Sequence, residues 1–411
     1  MNPIQALCGI KDYEKFIGTE AIERIIDKAS LLNDHRVVHV NSTYYGGGVA
    51  EILDTLTLLM NNVGIETVWH LIQGEQDFFG VTKKMHNALQ GDKIHFTEMK
   101  TFVYEEVILK NAMRMNLNRF DRVIIHDPQP LFLINHFRKT CPWIWRCHID
   151  ISNPNSKLWE YLKPAVQKFD AMIVSSEQYK RKVKIPQLIF MPAINPFSIK
   201  NKELTQEEID ERLEHYNIPR DLPLIVQISR FDKWKDPAGV IKAFKKARKE
   251  VDATLVLLGN VATDDPEGPK IYESLLEERD ERIILISQDD SALVNALQRT
   301  ADVVLQKSLR EGFGLTVTEA MWKGTPVIGG DVGGIPLQII DGETGYLVSN
   351  VDETADRIVK LLKNPSLREK MGNKGKERVK KHFLMSRLLE QYIDLLNDFE
   401  INFTLKSRNK R

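Results

Sequence analysis

Cysteine is scarce in this chain. It holds three, Cys8, Cys141 and Cys147, with no Cys-x-x-Cys pair among them. An odd, unclustered set excludes a disulfide framework and a thiolate zinc site; Cys141 and Cys147, flanking a Trp-rich run, read as small buried hydrophobes. No sign of charge dominates either, since Lys plus Arg and Asp plus Glu number 57 each. No global field therefore draws nucleic acid or an anionic membrane. The N-terminus lacks a basic region followed by an apolar core, and no apolar run is long enough for a membrane span. A reduced, cytoplasmic protein is expected. Also missing are Asp-x-Asp, any His/Cys/Asp cluster at metal spacing, the G-x-G-x-x-G fingerprint, a Walker A loop and a G-x-S-x-G elbow. These absences predict no metal and no bound cofactor.

What is present is a long alternation of apolar runs and helical spacing. Residues 1–35 form a helical preface with Ile22, Ile25, Ile26 and Leu31 on its apolar side. Strands are predicted at Val37–Asn41, Thr67–Ile72, Arg122–His126, Trp143–Cys147 and Ala171–Val174, with helices between them. Two prolines mark a break in Met191-Pro192-Ala193-Ile194-Asn195-Pro196. A charged helix at about 204–215 then leads into a second series: Leu224–Ile228, Thr254–Leu258, Ile283–Ile286, Val303–Leu305 and Pro326–Ile328. Strands alternating with helices imply βαβ units and parallel sheets. The chain thus reads as α/β, two Rossmann-like doubly wound domains, 1–195 and 196–384, facing each other across a cleft. The terminal Lys406-Ser407-Arg408-Asn409-Lys410-Arg411 is a frayed tail, too short for a nucleic-acid arm.

The richest segment is Glu311-Gly312-Phe313-Gly314-Leu315-Thr316-Val317-Thr318-Glu319, between an apolar strand and a helix. A strand, a glycine turn and a helix start make an anion cradle of backbone N–H groups at the positive end of the dipole. Bare carboxylates there should repel phosphate, so Glu311 and Glu319 make sense as ligands of hydroxyls beside it, as in a sugar nucleotide. The plainer reading of Glu319 is a carboxylate favoured by the helix dipole. Arg230 and Lys235, just beyond the first strand of the second series, suit a leaving diphosphate on which charge builds; Lys233 reads as solvated. Gly46-Gly47-Gly48 opens a helix after a strand, either as an anion approach or as a common turn. His126-Asp127 and His148-Ile149-Asp150 each end a strand, and two such ends side by side suggest a rim facing a polyol, with His126, Asp127 and Asp150 toward an acceptor sugar. A lone histidine such as His148 can equally be structural.

Together, Glu311 to Glu319 at E-x7-E spacing and the Arg230/Lys235 pair resemble the retaining glycosyltransferases of the two-Rossmann-domain (GT-B) type. A closer likeness runs through Val40-Asn41-Ser42-Thr43, Gly46-Gly47-Gly48-Val49-Ala50-Glu51, His86-Asn87-Ala88-Leu89-Gln90-Gly91, His126-Asp127-Pro128-Gln129-Pro130, Trp145-Arg146-Cys147-His148-Ile149-Asp150 and Asp264-Asp265-Pro266-Glu267-Gly268. These are similar to the trehalose glycosyltransferring synthases, which join NDP-glucose and free glucose. The resemblance implies that Arg230 and Lys235 hold the diphosphate and that Glu319 binds the ribose. Glu311 with Gly312, Phe313, Gly314 and Leu315 would bind the donor glucose. His148 would stand at the reacting centre, Gly47 and Gly48 would border acceptor or diphosphate, and the helix of about 385–411 would pack back on the first domain. A front-face retaining mechanism follows, with the diphosphate as base and no metal. The rivals are a retaining trehalose phosphorylase and a non-catalytic sugar-nucleotide-binding protein. Base preference, acceptor phosphorylation and oligomeric state stay open, a homodimer being one expectation.

Overall fold

The computed structural model describes residues 8–44, 47–259 and 268–408, with 400–408 given by backbone alone. Gly46, the stretch Asp264–Glu267 and the end of the basic tail lie outside the described residues. The chain divides into two compact units, Met1–Pro192 with Met385–Arg411, and Ala193–Leu384.

The first unit is built on β1 (Arg36–Asn41), β2 (Glu66–Leu71), β3 (Arg122–His126), β4 (Trp143–Arg146), β5 (Ala171–Val174) and β6 (Gln187–Ile189). All pairings are parallel, in the order β2-β1-β3-β4-β5-β6. The runs Val123-Ile124-Ile125 and Trp143-Ile144-Trp145 are buried throughout, because helices cover both faces of a parallel sheet and leave no polar side to the strand. The C-terminal helix Met385–Arg408 packs on the helices Thr19–Ser30 and Gly48–Asn62 of the same unit. Ion pairs from Lys28 to Glu390 and Asp394, each at 2.8 Å, accompany that packing. Arg387 donates to the carbonyls of Met191 (2.7 Å) and Pro192 (3.2 Å).

The second unit carries β7 (Leu224–Ile228), β8 (Thr254–Gly259), β9 (Ile283–Ser287), β10 (Val303–Gln306), β11 (Val327–Gly330) and β12 (Gly345–Val348). Its order is β12-β11-β10-β7-β8-β9, again all parallel. Each sheet is therefore doubly wound about one reversal point, β1/β3 in the first unit and β7/β10 in the second. Ligands in open α/β sheets bind beyond the carboxyl ends of the strands at such points. The two sheets differ, the second having the dinucleotide-fold order and the first the flavodoxin-like one.

Some expectations need correction. β6 and β12 were not anticipated, their apolar runs being short and preceded by turn residues. Leu31 is 69% exposed while Leu32 is fully buried. The helix Thr19–Ser30 stops at Ser30, so the helical phase that placed Leu31 inward no longer applies in the turn that follows.

The helix Pro365–His382 packs on Leu315–Trp322, the helix that follows the glycine turn. A Cβ at Gly372 would lie 1.8 Å from the carbonyl oxygen of Gly324. Gly372→Ala is therefore expected to destabilise the protein by about 1–3 kcal/mol through forced separation of these helices, measured by denaturant unfolding.

Candidate active site

In the second unit, the loops leaving β7 and β10 meet at the reversal point. After β7, the Asp232 carboxylate accepts from the amides of Trp234 (2.9 Å) and Lys235 (3.1 Å), folding Lys233–Lys235 into a tight turn. Asp236 follows in the left-handed region (φ 48°) and caps the helix Pro237–Ala247 through the Gly239 amide at 3.1 Å. A Cβ at Gly239 would stand 2.1 Å from an Asp236 carboxylate oxygen, so the cap requires glycine there.

The loop after β10 is tied to this turn at successive points. The Leu309 amide donates to the Trp234 carbonyl at 2.7 Å. Lys307 pairs with Asp236, and Lys235 Nζ lies 2.5 Å from Glu311 Oε2. The same oxygen accepts from Ser308 Oγ at 3.1 Å and Gln306 Nε2 at 3.2 Å. Gln227 Nε2, on β7, holds the Lys235 carbonyl at 2.8 Å. Glu311 is buried, 8% exposed, yet its charge has a cation and two neutral donors around one oxygen.

Beyond Glu311, Gly314 adopts φ 82° and caps the helix Leu315–Trp322. Gln338 Nε2 donates to the carbonyls of Phe313 and Gly314, while Thr318 Oγ1 donates to Gln338 Oε1. A Cβ at Gly334 would approach Phe313 Cα to 2.6 Å, so the turn is packed from behind as well. The helix N-terminus is thus a fixed, positively polarised end beside a neutralised carboxylate.

Arg230 is on the same β7 loop, half exposed, 3.3 Å from Asp232. Glu319 is 4% exposed, and its carboxylate makes no hydrogen bond among the described residues. Lys323, one turn further, donates to Asn201 Oδ1 (2.8 Å) and the Glu319 carbonyl (3.2 Å). Burial pushes its ammonium down to about 7, against the pull of Glu319. Sequence reasoning missed Ser308, Gln306, Gln338 and Lys323. Only Ser308 and Gln306 carried a signal, by standing at the end of an apolar strand.

In the first unit, the β1/β3 reversal point holds histidines. His39 lies within β1, His126 ends β3 and His148 follows β4. His39 Nδ1 is 2.9 Å from His126 Nε2, and His126 Nδ1 is 3.0 Å from His148 Nε2. His126 is wholly buried with both ring nitrogens engaged, so it lies beneath the rim where an acceptor sugar was expected. Asp127 adopts φ 62°, and one carboxylate oxygen accepts from the His148 amide at 2.7 Å. Burial pushes the Asp127 carboxyl up to about 7, opposed by that amide and by Arg146. Arg146, also buried, donates to Ser175 Oγ (3.0 Å) and the Phe190 carbonyl (2.8 Å). Asp150 is partly buried and accepts from the Ser152 amide at 2.9 Å. Gly47 (φ 86°) caps the helix Gly48–Asn62, and a Cβ there would meet nothing within 4 Å.

Comparison with known proteins agrees with this anatomy. Residues 39–181 match the family model for the trehalose synthase N-terminal domain, and residues 208–378 match that for glycosyl transferases group 1. Two doubly wound parallel sheets with polar switch-point loops are thus those of a GT-B glycosyltransferase. The chain is 46% identical to a trehalose synthase of Thermococcus litoralis over 95% of this chain and 97% of that one. It belongs to the trehalose synthase family of glycosyltransferases. A trehalose phosphorylase of Pleurotus pulmonarius is 27% identical over 90% of this chain and 58% of its own length. Among solved structures, Anabaena Alr3699/HepE in complex with UDP-glucose superposes with a TM-score of 0.68 at 16% identity, covering 89% of this chain and 100% of that one.

Lys235→Met leaves the buried Glu311 carboxylate without its cation and is expected to cost about 3 kcal/mol. Adding Glu311→Leu is expected to restore most of that stability in chemical denaturation while leaving the protein inactive. Acid acts through the first unit. Burial lowers His39 from 6.5 to about 3, and burial with neighbouring positive charge holds His126 and His148 well below 6.5. The unfolded chain takes up these protons near 6.5 and the fold does not, so this contribution is present above 6.5 and lost as pH falls toward 3. Asp127 acts in the opposite sense, since in the fold it is protonated below about 7, but it is one group against three. Stability is expected to fall as pH drops from about 7 to about 4, by up to about 1.4 kcal/mol per pH unit for each histidine, read as a falling thermal midpoint. His39→Gln should make that decline shallower.

Proposed function

We propose that the chain transfers glucose from NDP-glucose to D-glucose with retention of configuration, forming trehalose without a metal. The observation that carries the reading is the Glu311 carboxylate, buried at a helix N-terminus and paired with Lys235 at 2.5 Å. The pair is neutral overall, so a diphosphate nearby would draw on the half-exposed Arg230 and the helix end, while the Glu311 carboxylate, an acceptor, suits hexose hydroxyls. Glu319, buried without a hydrogen-bond partner among the described residues, suits the paired hydroxyls of a ribose. The 46% identity to a trehalose synthase supports the product.

In this reading the bond from glucose C1 to the diphosphate oxygen breaks, and the charge that builds on the leaving group is met by Arg230 and the helix end. A phosphate oxygen of that group takes the proton of the acceptor hydroxyl, whose oxygen bonds to C1 on the face just vacated. His148 hydrogen-bonds a sugar hydroxyl during transfer, and Asp150 contacts the acceptor.

The test is incubation with ADP-, UDP- or GDP-glucose and either glucose or glucose 6-phosphate, reading the disaccharide and its anomeric configuration by NMR. An α,α-linked product from free glucose and at least one nucleotide sugar is expected. Product from glucose 1-phosphate and glucose with no nucleotide sugar, releasing phosphate and undiminished in Glu319→Ala, would replace this reading with the phosphorylase. For the synthase, Glu319→Ala is expected to raise the KM for the nucleotide sugar by about tenfold, the loss of a charged hydrogen bond or two.

A further inference from the structure

His39, His126 and His148 come from adjacent strands of one sheet and stack in sequence. Their ring centroids are 5.1 Å and 5.3 Å apart, with interplanar angles of 28° and 19°. Each contact joins the Nδ1 of one ring to the Nε2 of the next. A neutral imidazole has one N–H and one bare nitrogen, so the rings can share protons in only two ways, all on Nδ1 or all on Nε2. Burial keeps His39 neutral, and burial with the Arg146 charge keeps the other two so.

The inner end decides between the two. His39 Nε2 is buried with no hydrogen-bond partner, and the Tyr392 ring packs against the His39 ring at a centroid distance of 6.0 Å. A proton there would be an orphaned buried N–H, which folded proteins tolerate less well than a bare acceptor. The His39 proton therefore sits on Nδ1 and is donated to His126 Nε2. His126 then carries its own on Nδ1 and donates to His148 Nε2. That leaves His148 with its proton on Nδ1, the outer nitrogen of a partly exposed ring, which has no partner among the described residues.

We infer that His39 and His126 are positioning residues that fix His148 as the Nδ1–H tautomer, so that it donates a hydrogen bond outward to a sugar hydroxyl. The sugar at the outer end rests on the function proposed above; the tautomer does not. His39 acts at a distance from any substrate, through a directional chain of hydrogen bonds, and exposed histidine prefers the opposite tautomer.

The test is long-range proton–nitrogen correlation NMR on the full-length protein, 15N-labelled at histidine, at about pH 7.5, with His148 assigned from a His148→Gln spectrum. Protonated Nδ1 and bare Nε2 are expected on all three rings. A His148 protonated at Nε2, or at both nitrogens, would overturn the inference. In His126→Asn the amide can turn either its oxygen or its NH2 toward His148 Nε2, so the direction is no longer imposed and a population of Nε2–H on His148 is expected, with kcat reduced about tenfold and the donor KM little changed. His39→Asn tests the same point from the inner end, because its amide both donates and accepts and no longer imposes a direction. A population of Nε2–H on His148 is expected there; a pure Nδ1–H signal in that variant would show that the direction is not set from His39.

Discussion

The arrangement of the second unit depends on one constraint, a buried carboxylate that must be paired. Glu311 stands, buried, where a helix N-terminus and two strand-end loops converge. Lys235 pairs with it at 2.5 Å, and Ser308 and Gln306 complete the shell around the same oxygen. The surrounding contacts follow from holding that pair in place. Asp232 folds the turn that carries Lys235, Gln227 fixes its carbonyl, and the Leu309–Trp234 bond joins the two loops. Gln338 and Gly334 hold the glycine turn from behind. A cation and a carboxylate read separately as phosphate and sugar ligands are a single electrostatic unit in the fold.

The first unit solves a related problem with one buried charge among neutral groups. At its reversal point Arg146 is held by neutral acceptors, burial raises the Asp127 carboxyl, and three histidines stay uncharged. Further charge there would be costly to desolvate, so hydrogen bonds replace ion pairs. Both units thus gather polar residues where the strand order reverses, although one sheet follows the dinucleotide-fold order and the other does not.

Much of this was legible in the sequence, for physical reasons. Parallel strands buried on both faces appear as unbroken apolar runs, which is why Arg122–His126, Ala171–Val174 and Leu224–Ile228 were located residue for residue. The cluster Glu311–Glu319 announced itself through glycines at a strand–helix junction. Strand order was not legible, because it depends on which βαβ unit packs beside which, and no local pattern records that. Nor was the role of His39, a mid-strand histidine in an apolar run whose partner is far along the chain. Gln338 was likewise invisible, since an ordinary glutamine in a short helix becomes a brace only once the chain has folded back. Leu31 and Leu32 show the limit of periodicity, which fails at the residue where the helix stops.

In the proposed reading Glu311 serves the sugar while Arg230 and the helix end serve the diphosphate. Calorimetric titration of wild type and Glu311→Gln separates the two, using a nucleoside diphosphate and its glucose ester with the base that supports turnover. The extra affinity contributed by the glucose is expected to be lost in the variant while binding of the diphosphate alone is kept. Equal weakening of both ligands, or loss of neither, would contradict it.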